Sequence, residues 1–192
     1  MNIPNRLSIL RICFIPFVMF FYMQNFWVWG KLVAAVLFVL AALTDMLDGY
    51  IARKYNMVTD LGKLLDTNAD KILVLAALLL VMVDGTIPAP YGVIVGIIII
   101  GRDMVISTFR QIAASKNFVM AADMIGKVKA FLTDIAMVML IILAWLKDMA
   151  FNQTFIDVFA ICSYVVIGVS VVLTIWSMIH YMVKNRAVLK QD

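Results

Sequence analysis

Two stretches of this chain run too far without an Asp, Lys or Arg to suit a protein dissolved in water: Ile12–Gly30, 19 residues, and Val158–Val183, 26 residues. With a rise of about 1.5 Å per residue, ~20 apolar residues cross the hydrocarbon of a bilayer. Four more apolar runs, Leu32–Thr44, Ile72–Val83, Gly85–Gly101 and Ile135–Leu146, are cut short by charge. Each extends to about 20 residues once a few charges at one end are admitted, so all four read as spans rather than as core helices of a soluble domain. The expected architecture is therefore an all-α integral membrane protein. It is a single domain over 1–192, with six transmembrane helices near 8–27, 31–53, 63–83, 88–112, 124–146 and 155–182. Composition agrees: 65% of the 192 residues are hydrophobic and 15% charged, with mean hydropathy +1.01. That balance excludes a disordered chain, a secreted disulfide scaffold and a free cytosolic enzyme. Cys13 and Cys162 lie far apart inside apolar runs, which gives no support for a disulfide. No small-residue cleavage site follows the first run, so it reads as an anchor and not as a signal peptide.

Orientation follows from Lys and Arg. With the N-terminus inside, fourteen of the 16 basic residues fall on the inner side and only Lys31 and Lys147 on the outer. By the positive-inside rule both termini are cytoplasmic, in a multi-pass protein of the plasma membrane. The net charge of +4 is then a matter of topology, and no nucleic-acid partner is expected. Trp27, Trp29 and Tyr91 suit the outer interface.

The charges that interrupt the four middle helices all fall in the cytoplasmic half. The second helix carries Asp45 and Asp48 and the third Asp66 and Asp70; the fourth carries Arg102, Asp103 and Arg110, and the fifth Lys127, Lys129 and Asp134. Intramembrane ionisable groups cost several kcal/mol unless they are paired, hydrated or bound to metal, so their convergence marks a functional site. Snorkelling to the interface accounts for long Lys and Arg stems but not for aspartates.

Asp45 and Asp48 are three apart, and Asp66 and Asp70 four apart, so each pair shares one helix face. The short connection between the two helices makes them antiparallel neighbours and sets the four carboxylates at one depth. Four like charges so close repel strongly in a low dielectric. Either most are protonated, or divalent cations sit among them. Oxygen-only ligands favour a hard ion such as Mg²⁺, Mn²⁺ or Ca²⁺, and the single histidine, His180, lies elsewhere. A two-metal carboxylate site beside Arg53 reads as phosphoryl-transfer chemistry. Gly49 and Ala52 leave a helix face without bulk next to those aspartates, which by itself suits a packed helix before a bound ligand.

Taken together, Asp45-Met-Leu-Asp48-Gly49-Tyr-Ile-Ala52-Arg53 and, eight residues on, Gly62-Lys-Leu-Leu-Asp66-Thr-Asn-Ala-Asp70 resemble the DxxDGxxAR…GxxxDxxxD pattern of the CDP-alcohol phosphotransferase family at all eight defining positions. The likeness extends to Ile3-Pro4-Asn5-Arg6-Leu7-Ser8 with Arg11 and Pro16, to Gly101-Arg102-Asp103 through Ser107 and Arg110, and to Gly126-Lys127-Val128-Lys129. These blocks are similar to the bacterial phosphatidylglycerophosphate synthase branch of the family. Ser8 stands where Thr is usual, and Thr67 where Pro often follows the third aspartate. Coverage runs over roughly residues 2–146; the sixth helix offers only hydrophobicity.

The resemblance implies six membrane helices, usually in a homodimer. It implies that Asp45, Asp48, Asp66 and Asp70 hold two divalent cations, Mg²⁺ or Mn²⁺, with Asp70 the candidate base for the acceptor hydroxyl. Asn5, Arg11, Gly49, Ala52, Arg53 and Gly62 would form the pocket for CDP-diacylglycerol. Ser107, Arg110, Lys127 and Lys129 would hold the phosphate of sn-glycerol 3-phosphate, the acceptor. The expected activity is transfer of a phosphatidyl group from the CDP-lipid to that acceptor within the lipid bilayer. The alternatives are another acceptor (inositol phosphate, serine or phosphatidylglycerol) or a cation transporter. A transporter should carry its charges near the midplane and show repeated halves, and this chain does neither.

Overall fold

The computed structural model describes residues 3–24, 26–54, 60–115 and 124–184, with side chains over 9–24, 26–44, 68–113 and 124–184. Six helices follow one another: α1 Ile3–Met23, α2 Gly30–Lys54, α3 Asp60–Val83, α4 Ala89–Ser115, α5 Met124–Asp148 and α6 Gln153–Lys184. The regular structure among the described residues is all helical, as expected. By length and composition α4, α5 and α6 are apolar enough to cross a membrane, and α1 and α2 contain shorter apolar stretches, Ile9–Met23 and Gly30–Thr44.

The first helix lies earlier in the chain than the expected 8–27. Pro4 is tolerated in its first turn, where a backbone N–H has no helical partner to lose. Its end is closed by Gln24, whose side-chain amide donates to the Trp27 carbonyl and accepts from the Trp27 N–H, both at 2.8 Å. Trp27 and Trp29 therefore sit in the α1–α2 connection. Between α3 and α4 the chain turns on Gly85, at φ +73°, with Asp84 accepting from the Thr86 N–H at 2.9 Å. Ahead of α6, Asn152 accepts from the Thr154 N–H at 3.0 Å, an N-cap contact.

Successive helices alternate in direction. The contacts of Tyr22 with Asp84 and of Lys31 with Asp84 and Asp148 gather the ends of α1, α3 and α5 and the start of α2. Tyr164 of α6 joins them by donating to the Thr86 carbonyl at 2.6 Å. The opposite end of the bundle holds the ends of α2 and α4 and the starts of α3 and α5, and with them the aspartate pattern.

The core runs between α1, α2, α3 and α5. On α1 the buried positions are Arg11, Ile15, Val18 and Tyr22, and on α2 Ala34, Ala35, Phe38 and Ala41 are buried. Steps of three and four make one stripe on each helix, and the alanines let the backbones approach. Among the described residues α1 packs on both α2 and α3, while α2 and α3 touch each other only briefly. On α4, Gly92 and Gly96 lie under Met82 and Leu78 of α3; a Cβ there would come within 2.4 and 2.9 Å of those side chains. This is a small-xxx-small contact that brings α3 and α4 together.

Candidate active site

Where α3, α4 and α5 meet near their charged ends, they line a small open cleft. Asp70, Lys71 and Val74 line it from α3; Ile99, Ile100 and Asp103 from α4; Lys129, Ala130, Thr133 and Asp134 from α5. Apolar and ionisable side chains share its lining. Helix periodicity explains the gathering. Asp70 and Val74, Ile99 and Asp103, and Lys129 and Thr133 are each four apart, so each pair stands one turn apart on its helix face.

The rim is tied by polar contacts across helices. Lys71 donates to Ser107 Oγ at 2.8 Å, and the Ser107 hydroxyl donates to the Asp103 carbonyl at 2.7 Å. This joins α3 to α4 directly beside Asp70. Lys129 donates to both carboxylate oxygens of Asp103, at 2.7 and 2.8 Å, and joins α5 to α4. Arg102 bonds the same carboxylate at 3.0 Å and reaches Ser177 of α6. It is buried, and its Nε has no hydrogen-bond partner among the described residues. Gly126 leaves the room it needs: a Cβ there would stand 3.3 Å from the guanidinium.

The sixth helix contributes more than hydrophobicity. Its buried positions are Ile156, Ser163, Ile167, Ser170, Thr174, Ser177 and Tyr181, and from Ser163 onward they recur at steps of three and four. Ser170 shares a 2.6 Å hydrogen bond with Thr133, and Tyr181 accepts from Arg110 Nε at 3.1 Å. Interhelical hydrogen bonds between such side chains stabilise membrane bundles by about 0.6 kcal/mol each. Here they also fix α4 and α5 around the cleft.

The expected site residues are placed as follows. Asp70 stands in the cleft. Asp45, Asp48, Gly49, Ala52 and Arg53 fall on the last turns of α2, Gly62 and Asp66 on the first turns of α3, and Asn5 at the start of α1. Their side chains lie outside the described residues. Among the described residues no three His, Cys, Asp or Glu form a metal cluster; of the four aspartates only Asp70 has its side chain described. By sequence the pattern offers only carboxylate oxygens, from the last turns of α2 and the first turns of α3, a donor type that suits a hard divalent cation.

Arg11 is fully buried, its Nε donating to the Ala41 carbonyl at 3.3 Å, one turn ahead of Asp45. Lys129 lines the cleft and Ser107 stands behind it on Lys71, and both are engaged with protein partners. Lys127 is exposed while Lys129 is buried, because two residues along a helix turn the side chain through roughly 200°. The structure does not bring these two lysines together. Arg110 lies one turn beyond Ser107 on the same face of α4, against Tyr181. Sequence reasoning passed over Lys71, Arg102, Ser177 and Tyr181 as site residues; the regular Ser/Thr spacing on the sixth helix was the available signal for the last two.

A family model for CDP-alcohol phosphatidyltransferase matches residues 1–182. The chain belongs to the CDP-alcohol phosphatidyltransferase family. Its similarity to individual proteins is as extensive. The CDP-diacylglycerol–glycerol-3-phosphate 3-phosphatidyltransferase of Bacillus subtilis (strain 168) is 40% identical over 147 residues, which cover 70% of this chain and 74% of that protein. Proteins of the same name are 36% identical over 190 positions in Yersinia enterocolitica, covering 95% of this chain and 93% of the relative. In Sodalis glossinidius the identity is 36% over 194 positions, covering 97% and 96%. CDP-alcohol phosphatidyltransferases are transferases that move a phosphatidyl group from a CDP-alcohol to an acceptor, and they generally depend on a divalent metal. The match reaches through most of α6, so the last helix belongs to the family unit as well.

Proposed function

We propose that this membrane protein transfers the phosphatidyl group of CDP-diacylglycerol to sn-glycerol 3-phosphate, giving phosphatidylglycerol phosphate and CMP. The observation that carries the reading is the cleft. It sets Asp70, the last aspartate of the family pattern, within one rim with Lys71, Asp103 and Lys129. A carboxylate for the attacking hydroxyl then stands beside a wall fixed by Lys71, Ser107, Asp103 and Lys129. Arg110, one turn beyond Ser107 on α4, is the cation for a phosphate-bearing acceptor. The names and coverage of the relatives support the same substrates.

In this reading Asp45, Asp48, Asp66 and Asp70 hold two Mg²⁺ or Mn²⁺ ions. When bound, they neutralise the diphosphate of the CDP-lipid and make CMP a good leaving group. Asp70 accepts the proton of the acceptor's hydroxyl, whose oxygen bonds to the lipid-side phosphorus as the P–O bond to CMP breaks. Asn5, Gly49, Ala52, Arg53 and Gly62 shape the donor pocket. Arg11 serves it from within the bundle, bracing α1 on α2 just ahead of Asp45. Arg110 takes the acceptor phosphate, with Ser107 and Lys129 holding that wall in shape and Lys127 adding positive charge at its edge.

The fourteen-to-two division of basic residues supports six crossings of the plasma membrane, with both termini and the cleft facing the cytoplasm. The family resemblance supports a homodimer. The deciding assay incubates the purified protein with CDP-diacylglycerol and a panel of acceptors, with and without Mg²⁺, and follows CMP. Release that needs both Mg²⁺ and sn-glycerol 3-phosphate is expected. Release with inositol phosphate, serine or phosphatidylglycerol in its place would reassign the acceptor.

A further inference from the structure

We infer that Tyr181 is a positioning residue for Arg110, fixing the guanidinium that meets the acceptor's phosphate; the inference rests on the role given to Arg110 above. Arg110 is exposed, near the end of α4. A long side chain at such a place samples many rotamers and must give up that freedom when it binds. Tyr181 removes much of the freedom beforehand. Its hydroxyl accepts from Arg110 Nε at 3.1 Å, and the guanidinium carbon stands 5.3 Å from the ring centroid. The tyrosine is itself immobile: it is 2% exposed and packs with Ile106, Phe109 and Ala113 in a small core of its own. Phe109 meets the ring edge-on, with centroids 6.3 Å apart.

The chemistry of the partner matters as much as its rigidity. Lys129 and Arg102 are held by the Asp103 carboxylate, which offsets their charge. Arg110 is held by a phenol, which orients the guanidinium and leaves its full positive charge. It engages Nε, one donor of the five, and the two terminal amino groups are the pair that matches two oxygens of a phosphate. The placement fits the task. Arg110 follows Ser107 by one turn on the same face of α4, and Ser107 holds Lys71 next to Asp70. Arg110 is thus on the helix face that carries Asp103 and Ser107, the side from which an acceptor with phosphate at one end and a hydroxyl at the other would reach toward Asp70.

The test is steady-state CMP release by the full-length protein in detergent, with CDP-diacylglycerol and varied sn-glycerol 3-phosphate. Tyr181→Phe keeps the ring and its contact with Phe109 and removes only the hydroxyl. It should raise the acceptor KM at least threefold, with kcat and the KM for CDP-diacylglycerol within twofold of the wild type. In an Arg110→Ala background the same substitution should have no further effect on the acceptor KM. A purely structural tyrosine would instead lower kcat and thermal stability alike in both backgrounds. If Tyr181→Phe does not fold, Phe109→Ala, which removes the brace on the ring, is held to the same criterion. Wild-type turnover with an unmoved acceptor KM in the variant would overturn the inference alone. A wild-type protein that releases no CMP with sn-glycerol 3-phosphate would overturn the underlying assignment and this inference with it.

Discussion

Lys129 donates to both oxygens of the Asp103 carboxylate, and Arg102 reaches one of them from the adjacent position. One aspartate on α4 thus serves two cations that are almost wholly buried, one arriving from α5 and one turned toward α6. A positive charge inside a membrane bundle is tolerated when it has such a partner. The cleft wall consequently depends on Asp103 although that residue carries no assigned chemical step.

Asp103→Asn should destabilise the protein by about 3 kcal/mol, the scale for leaving a buried charge without its partner. Thermal or denaturant unfolding in detergent reads the loss. Adding Lys129→Met to Asp103→Asn removes one of the stranded cations and should restore part of the stability. A double variant no more stable than Asp103→Asn would show that the pair does not carry the effect.

Much of this organisation is legible in the sequence, for identifiable reasons. Length and hydropathy specify helices because backbone groups in lipid must be satisfied within the segment. The spacing of Asp66 and Asp70 sets them on one face for geometrical reasons alone. Other features depend on a second helix. Whether Lys129 is offered to a ligand or spent on Asp103 is decided by what faces it, and nothing local to Gly126-Lys-Val-Lys129 shows that. Hydropathy also hides the seam of α6, since a few serines among valines and isoleucines scarcely change a window average. Read as a period, Ser163, Ser170, Thr174 and Ser177 stand on one face, and the contacts to Thr133 and Arg102 give that face its purpose. Helix 1 was displaced because its apolar run continues through Trp27 and Val28, whereas the helix stops at Met23 where Gln24 captures the backbone.

The aspartate pattern makes a direct prediction. Asp45→Asn, Asp48→Asn and Asp66→Asn should each abolish CMP release and weaken binding of Mg²⁺ or Mn²⁺, with the protein still folded in detergent. Asp70→Asn should lose turnover while binding of CDP-diacylglycerol changes less. Near-normal turnover in any of the first three variants would sink the two-metal reading, and chelation of divalent ions should silence the wild type.

At the other end of the bundle, Asp84 should give stability an acid dependence. Burial opposes its ionised form, but hydrogen bonds from Tyr22, Thr86 and Lys31 outweigh that and hold its carboxyl below the usual value. A carboxylate depressed in the folded state stabilises the fold above its unfolded pKa, about 3.9, and loses that contribution as pH falls through the lower folded value. Melting temperature measured between pH 3 and 6 should therefore drop at the acid end. Asp84→Asn should be less stable near neutral pH and show a shallower drop below about pH 4. Parallel curves for the two proteins would remove Asp84 as the source.

The charge asymmetry predicts sidedness. Cys13 and Cys162 are free and exposed, so the reporter background must lack both. Single cysteines introduced near Asn56 and Asn117 should react only with reagents admitted to the cytoplasm. Those near Gly85 and Asn152 should react from outside in intact cells. The reverse pattern would contradict both the orientation and a cleft open to the cytoplasm.

The acceptor assignment makes the sharpest demand, because relatives that share the aspartates need not share the acceptor. A phosphate monoester approaches a dianion near neutral pH, and it must enter a cleft whose rim already carries Asp70, Asp103 and Asp134. Lys129 and Arg102 are committed to Asp103 and Lys71 is turned to Ser107, so the cation assigned to the phosphate is Arg110, held by a neutral phenol. Glycerol and inositol carry no phosphate and serine is a zwitterion, so none of them gains from that guanidinium. sn-Glycerol 3-phosphate should accordingly be used far better than glycerol, serine or inositol. Arg110→Ala should lower kcat/KM for it at least tenfold, equivalent to about 1.4 kcal/mol of transition-state binding. Binding of CDP-diacylglycerol should change little, since the donor pocket proposed above is drawn from α1, α2 and the start of α3. Arg110→Lys should recover only part of the loss, because an ammonium keeps the charge without the two-pronged geometry. If Arg110→Ala weakened the CDP-lipid and spared the acceptor, Arg110 would belong to the donor side, and the cation for the acceptor's phosphate would have to be sought at Lys127.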